Sequence, residues 1–467
     1  MDSADSYPAV SATATRTPLL AFAAAALLGC IFAAVSTSDF MQHLDRQVHA
    51  VHCSFIPGAG REVGESGCKA VMMSPYSSWM RESVWGGVPV SLLALAVFAY
   101  LFARGVALLW RGGRPSAGET RFLLAATLLP ALMTLIYAFL SISKVGQTCK
   151  VCVGIYFSSA AVLVSAALVH RNNDSQDRTG SYALWFCQGV AFVVVLTGTY
   201  LMFAPKADPK KALSGCGALV TAEDPAGVMF GLSEGAEAAI EVLDPLCPAC
   251  KAFDTRLRAS SLKERLGLKA VLFPLDPTCN WMVTEALHPG ACAMSEALLC
   301  AAGLNGAKDD EAAREMLRWA FKQQDGLREL AAKDEPAMRA KIEAAFPKVK
   351  GCLGSMQVKS KLTKSLRWAV ANAIPVLTPQ LFVGNARMCD EDTDLGLEYT
   401  LSSMLSPKGS QARAAVKPPP PPKPTIVPVA PPPVPAKAKS LPFPTAPPEE
   451  ESPAAESASP SEQESQQ

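Results

Sequence analysis

The sequence predicts a multi-pass α-helical membrane bundle followed by a soluble α/β domain and an unpacked tail. Long apolar runs crowd into the first 205 of 467 residues. Short strand-like runs then share a region with helical stretches, and the last 60 residues are mostly Pro, Ala, Ser, Glu and Lys. A chain of this length is expected to form two or three domains. The formal net charge is +1, so no strongly basic face points to nucleic acid. The 14 cysteines recur in pairs instead of crowding one short scaffold, which points to redox or metal chemistry and not to a small secreted disulfide knot.

Arg16 precedes the apolar run Thr17–Ser36. Further apolar segments follow it, so it reads as a first membrane helix and not as a cleavable signal peptide. The spans are 18–36, 87–110, 121–142, 150–170 and 182–204, each near the ~20 residues a bilayer requires. Gly86, Gly87 and Pro89 open the second, where a proline in the first turn costs no hydrogen bond. Arg104, Arg111, Arg114 and Arg121 mark the connection between the second and third helices, and Arg171 and Arg178 the one between the fourth and fifth. Positive charge favours the cytoplasm, so these loops and the N-terminal residues 1–17 are expected inside. Lys144 and Lys150 on the opposite side are outnumbered. The loop after the first helix and everything beyond residue 204 are then expected outside, in a compartment where disulfides persist.

Residues 205–234, with Pro205, Pro209 and Pro225, read as a linker. Within 235–406, strands are expected at Ala238–Leu243, Ala270–Leu275 and Gln380–Val383, a helix at 248–266, and mainly helix from Met282 to Ala371. Residues 407–467, with the proline run 418–422, read as an extended, disordered tail.

Three cysteine pairs could carry chemistry. Cys149-Lys-Val-Cys152 opens an apolar helix, where i and i+3 thiols share a face and the helix N-terminus favours a thiolate. The bland reading is two cysteines used as small apolar residues. Cys53 and Cys68 flank a stretch rich in glycine, and their spacing suits a mobile shuttle dithiol and a structural disulfide equally. Cys247-Pro-Ala-Cys250 sits between a strand and a helix, so Cys247 is expected to be the exposed attacking sulfur and Cys250 the buried resolving one. Thr378-Pro379 directly precedes a strand, where a cis peptide could sit beside that CxxC; Pro375 is the rival position.

Zinc is the chemical alternative for two CxxC pairs. The pairs lie far apart in the chain, one is in a membrane helix, and no histidine sits near either at ligand spacing, so no metal site is expected. His43, His49, His52, His170 and His288 read as solvated residues of loops and helix ends. Cys279, Cys292, Cys300, Cys352 and Cys389 fall in the soluble domain, and four of them suit structural disulfides of unassigned pairing. Cys30 and Cys187 read as packing residues, and Cys216 as a free linker thiol. Tyr76, Trp79 and Trp85 fit an aromatic belt at the membrane surface.

The run Gly67-Cys68-Lys-Ala-Val71, Ser74-Pro-Tyr76-Ser77, Val84-Trp-Gly86 and Val88-Pro89, together with Cys149-Lys-Val-Cys152-Val-Gly-Ile-Tyr156, resembles the vitamin K epoxide reductase family over residues 18–204. The Cys247-Pro-Ala-Cys250 region is similar to thioredoxin-like, DsbA-type domains with a helical insertion, over 235–406. The resemblance implies a four-helix core within the five-helix bundle and a bacterial fusion to a partner domain. It implies that Cys152 reduces a quinone (ubiquinone or menaquinone), that Cys149 exchanges with Cys68, and that Cys53 meets Cys247. Tyr156 would lie beside the quinone headgroup. Glu82 aligns with a quinone-contacting polar residue, although its residue type departs from the pattern. The Cys53–Cys68 spacing is also longer than the family's.

The expected function is therefore a quinone-dependent thiol oxidase of the inner (cytoplasmic) membrane that generates disulfides in exported proteins. Two alternatives stand beside it. The same relay could run outward and make a disulfide reductase or isomerase, because direction follows relative potentials. The soluble domain could instead be a non-catalytic, membrane-anchored chaperone. Without an intramembrane charged pair beyond the helix ends, a transporter is disfavoured.

Overall fold

A computed structural model describes residues 11–44, 51–56, 61–62, 66–173, 180–303 and 308–418. Helix α1 spans Ser11–Leu44, well beyond the 18–36 expected from hydropathy. The sequence turns more polar after Ser36, but Phe40 and Leu44 keep i, i+4 spacing and are buried against Trp85 and Leu395. The extension thus leaves the apolar stretch to contact the C-terminal part of the chain.

The connection that follows is built from short pieces that the hydrophobic pattern does not reveal. Strands β1 (Val51–His52) and β2 (Arg61–Glu62) pair antiparallel. Helix α2 (Gly67–Met72) is capped by the Ser66 hydroxyl, which accepts from the Lys69 N–H. Strands β3 (Ser78–Trp79) and β4 (Val88–Pro89) form a second antiparallel pair.

Four more long helices follow: α3 (Val90–Trp110), α4 (Ala117–Leu140), α5 (Lys150–Arg171) and α6 (Tyr182–Phe203). Among the described residues, five helices are therefore long and apolar enough to cross a membrane. A capping box of Ser116 and Glu119 starts α4. A π-helical turn, Ser141–Val145, extends it until Gly146 turns left-handed at φ 70°. Helix α1 lies between α3 and α5, α4 packs on α5, and α6 packs on α3. Glycines allow the close approaches: a Cβ on Gly29 would stand 2.5 Å from the Phe98 ring, and one on Gly154 would stand 2.6 Å from Phe32. Such small-residue contacts are how helices associate where lipid offers no hydrophobic drive. Leu128, Leu132 and Leu135 of α4, and Val194 and Met202 of α6, face outward as lipid-facing residues should. Cys30 is partly buried in the bundle core, whereas Cys187 is exposed on α6 and is not the packing residue expected.

After the bundle the expected linker is partly structured. Asp208 caps α7 (Pro209–Ser214), and Phe230–Gly231 forms β5. Strand β6 (Glu237–Leu243) leads into α8 (Pro248–Ala259), which ends seven residues before the expected 266 because Ser260 turns the chain into a 3-10 turn at Ser261–Arg265. Strand β7 accordingly starts early, at Leu266, and runs to Leu272. Helices α9 (Ala291–Ala301), α10 (Asp310–Lys333), α11 (Glu335–Ala345) and α12 (Met356–Ala371) follow. Strands β8 (Gln380–Val383) and β9 (Ala386–Arg387) come next, then α13 (Leu397–Met404) and α14 (Pro407–Ala414). Residues 407–414, expected to begin the tail, are thus helical, started by a Ser406 cap; Arg413 also pairs with Glu237 at 3.3 Å. The rest of the expected tail, 419–467, lies outside the described residues, as do His49 and Arg178.

The five strands form one mixed sheet in the order β5-β7-β6-β8-β9, parallel only between β6 and β7. Alternation along β6 sends Ala239 and Leu243 to one apolar core and Ile240 and Val242 to another. Both faces are covered by other parts of the chain, which explains why the strands read as nearly unbroken apolar runs. Disulfides Cys279–Cys292 and Cys300–Cys352 brace the helical region. Cys216 is not free: it is bonded to Cys389. The linker runs beside β9, with the Cys216 N–H donating to the Arg387 carbonyl at 2.8 Å and Ala218 bridging Ala386, and this brings the two sulfurs together. Glu391 lies close enough to complete a three-ligand metal cluster with them, but disulfide-bonded sulfurs supply no thiolate.

Candidate redox centres

The first centre lies where α2 meets the start of α5. Cys53, next to β1, and Cys68, on α2, form a disulfide. Both sulfurs' residues are buried in one apolar cluster with Cys149, Phe32 and Val151. Gly67 permits this approach: a Cβ there would stand 2.2 Å from the Thr148 carbonyl, just before Cys149. Cys149 is the N-cap of α5, and its sulfur accepts from the Cys152 N–H at 3.2 Å. A helix N-terminus offers unpaired N–H groups that favour a negative sulfur. Nearby, buried Asp39 holds His52 through Nδ1 at 2.6 Å and through its backbone N–H at 3.0 Å, so His52 is not the solvated residue expected.

Cys68, Cys149, Cys152 and Tyr156 line one cavity of about 420 Å³, whose walls also include Tyr137, Met72 and Val97. The lining is mostly apolar, with hydroxyls that include those of Ser36, Ser91, Tyr76, Tyr137 and Tyr156. Glu82 does not line it. It borders a second cavity of about 590 Å³, where it accepts a hydrogen bond from Ser261 at 3.3 Å. The β3–β4 connection carries Glu82 out toward α8, away from Cys152. Tyr137, which pattern reading did not single out, lines the first cavity from the last turn of α4, as do Pro130 further up the helix and Val145 of the π-helical turn.

The second centre sits at the N-terminus of α8. Cys247 is its N-cap and Cys250 lies inside the helix. The Thr378–Pro379 peptide is cis, and the Thr378 carbonyl lies 3.5 Å from the Cys247 sulfur. This loop lies over the CxxC turn, so Cys247 is only 4% exposed and is not the accessible sulfur expected. The hydrogen bond from the Cys250 thiol holds Cys247 down at about 7 against the opposing effects of burial and the Asp244 carboxylate, with His288 and the Thr378 side chain assisting. Burial and the Cys247 sulfur push Cys250 well above the ordinary thiol range. Glu241, on β6 beneath the pair, is raised well above the carboxylate range by burial and then by Asp254. Gln324 of α10 donates to the carbonyls of Pro245 and Cys247. Glu241, Asp244, His288 and Gln324 were not identified from sequence. One acidic residue inside an apolar strand was the available signal for Glu241.

A buried polar contact joins the two halves. Arg256 of α8 donates to the Met73 and Ser74 carbonyls, just after α2, and pairs with Glu398 of α13 at 2.7 Å. Arg81 pairs with the other oxygen of Glu398 at 2.6 Å. Trp85 donates to Asp392 at 2.9 Å and His43 pairs with Asp394 at 2.6 Å. Trp85 therefore anchors the C-terminal part and does not sit in a membrane belt.

No curated protein and no solved structure matches the chain. Residues 20–167 match the model of the vitamin K epoxide reductase family, so the part that carries Cys53, Cys68, Cys149 and Cys152 is similar to a family of multi-pass membrane oxidoreductases acting through disulfides and quinones.

Proposed function

We propose that this protein is a quinone-dependent thiol oxidase that introduces disulfides into exported proteins. The carrying observation is the single apolar cavity shared by Cys68 of the loop disulfide, Cys149, Cys152 and Tyr156. Its size and lining fit a flat apolar ring with polar edges, and the Tyr137, Tyr156 and Ser91 hydroxyls could orient those edges. A quinone bound there would take up two electrons and two protons.

On this reading the protein's own steps are thiol–disulfide exchanges. The Cys247 thiolate attacks the Cys53 sulfur and frees Cys68; Cys250 then attacks Cys247 and releases Cys53. Cys68 and Cys53 are reoxidised in the same way by the Cys149/Cys152 pair, with Cys149 as partner of Cys68. The depressed Cys247 thiol supports inward electron flow, since a stabilised reduced form makes a pair more oxidising. The C-terminal part, 235–406, acts as a thioredoxin-like domain with Pro379 beside the reacting sulfur, held outside the inner membrane by α6. Both Cys247 and Cys53 are buried, so exchange requires the covering loops to part.

The test is a trap. In membranes carrying Cys250→Ala, a mixed disulfide at Cys247 cannot be resolved, and peptide mapping is expected to find Cys247 joined to Cys53. Adducts of Cys247 with outside proteins alone would mean that the two centres do not communicate, and the oxidase reading would fall.

A further inference from the structure

The Cys247-Pro-Ala-Cys250 turn contains no basic residue between its cysteines, but the Asp244 that precedes it pairs with His288. Asp244, fully buried at the end of β6, organises the surroundings. One carboxylate oxygen accepts from the Leu246 N–H at 2.7 Å, and the Asp244 carbonyl accepts from the Cys247 N–H at 3.1 Å. The other oxygen accepts from the Leu275 N–H at 2.8 Å and pairs with His288 Nδ1 at 2.7 Å. The His288 N–H in turn donates to the Leu275 carbonyl at 3.2 Å, and the Cys279–Cys292 disulfide closes the loop that carries it. One carboxylate therefore fixes both the turn into Cys247 and the imidazole.

We propose that His288, oriented by Asp244, is a positioning residue that supplies positive charge near the Cys247 sulfur and so raises the oxidising strength of the Cys247/Cys250 pair. This rests on the redox reading above. In oxidising a client dithiol, one client thiolate attacks the Cys247 sulfur, the Cys247–Cys250 bond breaks, and Cys250 takes a proton. The second client thiolate then attacks the first client sulfur and expels Cys247 as a thiolate. The client loses two electrons and the pair gains them; one client proton goes to Cys250 and the other to solvent. The expelled sulfur is the one that the charge of His288 favours as thiolate, and a stabilised leaving thiolate departs faster.

The charges that act on His288 are those of Asp244 just after β6, Cys247 at the head of α8 and Arg328 of α10. Burial opposes its charge, but the hydrogen bond and charge of Asp244 outweigh burial and Arg328, and its affinity for a proton is raised. Cys247 is also faced by Cys250, Asp244 and Thr378.

The test is the pH profile of Cys247 alkylation by iodoacetamide in the reduced full chain in lipid nanodiscs, read on the Cys247 peptide by mass spectrometry. The wild-type profile is expected to show two inflections, one for the thiol and one for the imidazolium. His288→Asn keeps a donor for Asp244 without the charge. It is expected to leave one inflection, at higher pH than the wild-type thiol's. Alkylation at pH 6 should slow by roughly threefold for every tenfold loss of thiolate, because greater nucleophilicity partly offsets the smaller thiolate fraction. Superimposable profiles would overturn the proposal. Should His288→Asn fail to fold, a single wild-type inflection at the ordinary thiol value would overturn it as well. Alkylation needs neither quinone nor the loop. A missing Cys247–Cys53 adduct would therefore sink the oxidase reading and leave this one standing, whereas superimposable profiles would do the reverse.

Discussion

Cys247 and Cys250 are chemically unequal although they are three residues apart. The first caps a helix and receives a hydrogen bond from the second, which has the apolar core and Glu241 for neighbours. The CxxC spacing and its helix were legible in the sequence. The buried acid and the histidine were not, because Glu241 and His288 reach the site through sheet pairing and a disulfide-closed loop. Glu241 gives a prediction at this scale. Its carboxyl is fully buried, and Oε1 has no hydrogen-bond partner among the described residues. Its proton affinity is raised on folding, so the folded state holds a proton that the unfolded state releases. That contribution to stability is complete below the ordinary carboxylate pKa of about 4.3 and is lost as pH rises from there toward the raised folded value. Glu241→Gln should therefore stabilise the protein by roughly 1–3 kcal/mol at neutral pH and flatten the loss above pH 5. Thermal unfolding in detergent across that range checks it; an unchanged pH slope would contradict the assignment. Since Glu241 also faces Cys250, the same variant should alter the rate at which mixed disulfides at Cys247 are resolved.

Short elements set the distances that matter between centres. Helix α2 is less than two turns long and is held by one cap, yet it carries Cys68 to the mouth of α5. Gly67→Ala would drive a methyl into the Thr148 carbonyl at 2.2 Å, and backbone cannot move aside as a side chain can. The expected outcome is slower electron transfer from Cys68 to Cys149, read as at least a severalfold fall in quinone reduction, with the Cys53–Cys68 disulfide still formed. Unimpaired turnover would show that the α2–α5 approach is not needed. Helix α8 gives a second prediction. Arg256 is fully buried, and its loss would leave the Met73 carbonyl and one oxygen of Glu398 without their donor. Arg256→Ala should cost about 2–5 kcal/mol and expose the 73–85 segment to protease. Arg256→Lys should recover little, because one ammonium cannot span the carboxylate and the carbonyls as the guanidinium does. Proteolysis unchanged in Arg256→Ala would mean that the two halves are held by other contacts. No pattern in the sequence marked α2 or the role of Arg256: six residues are too few for a helical period to register, and a lone arginine on a polar helix looks solvated.

At the scale of the whole molecule, the bundle and the C-terminal part are held together by α1 beyond its apolar run, by Trp85, and by the acidic segment 392–398. The Cys216–Cys389 disulfide clamps the start of that segment to the linker. Replacing both cysteines by serine should destabilise the C-terminal part by about 2–5 kcal/mol and weaken its docking, as measured by thermal unfolding and by the yield of the Cys247–Cys53 trap. An undiminished yield would show that docking does not need the clamp. The sequence by itself determined the five long apolar helices, the strands β6 and β8 and the two CxxC spacings. Each is a local property, fixed by apolar length, by period or by a spacing within one turn. Only the tertiary structure decided which distant groups share a site: that Cys68 meets Cys149 in one cavity while Glu82 does not, that Cys216 finds Cys389, and that Asp244 joins His288 to Cys247. Those contacts depend on chain segments many residues apart being brought together by helix packing and sheet pairing, and no local pattern encodes the partner.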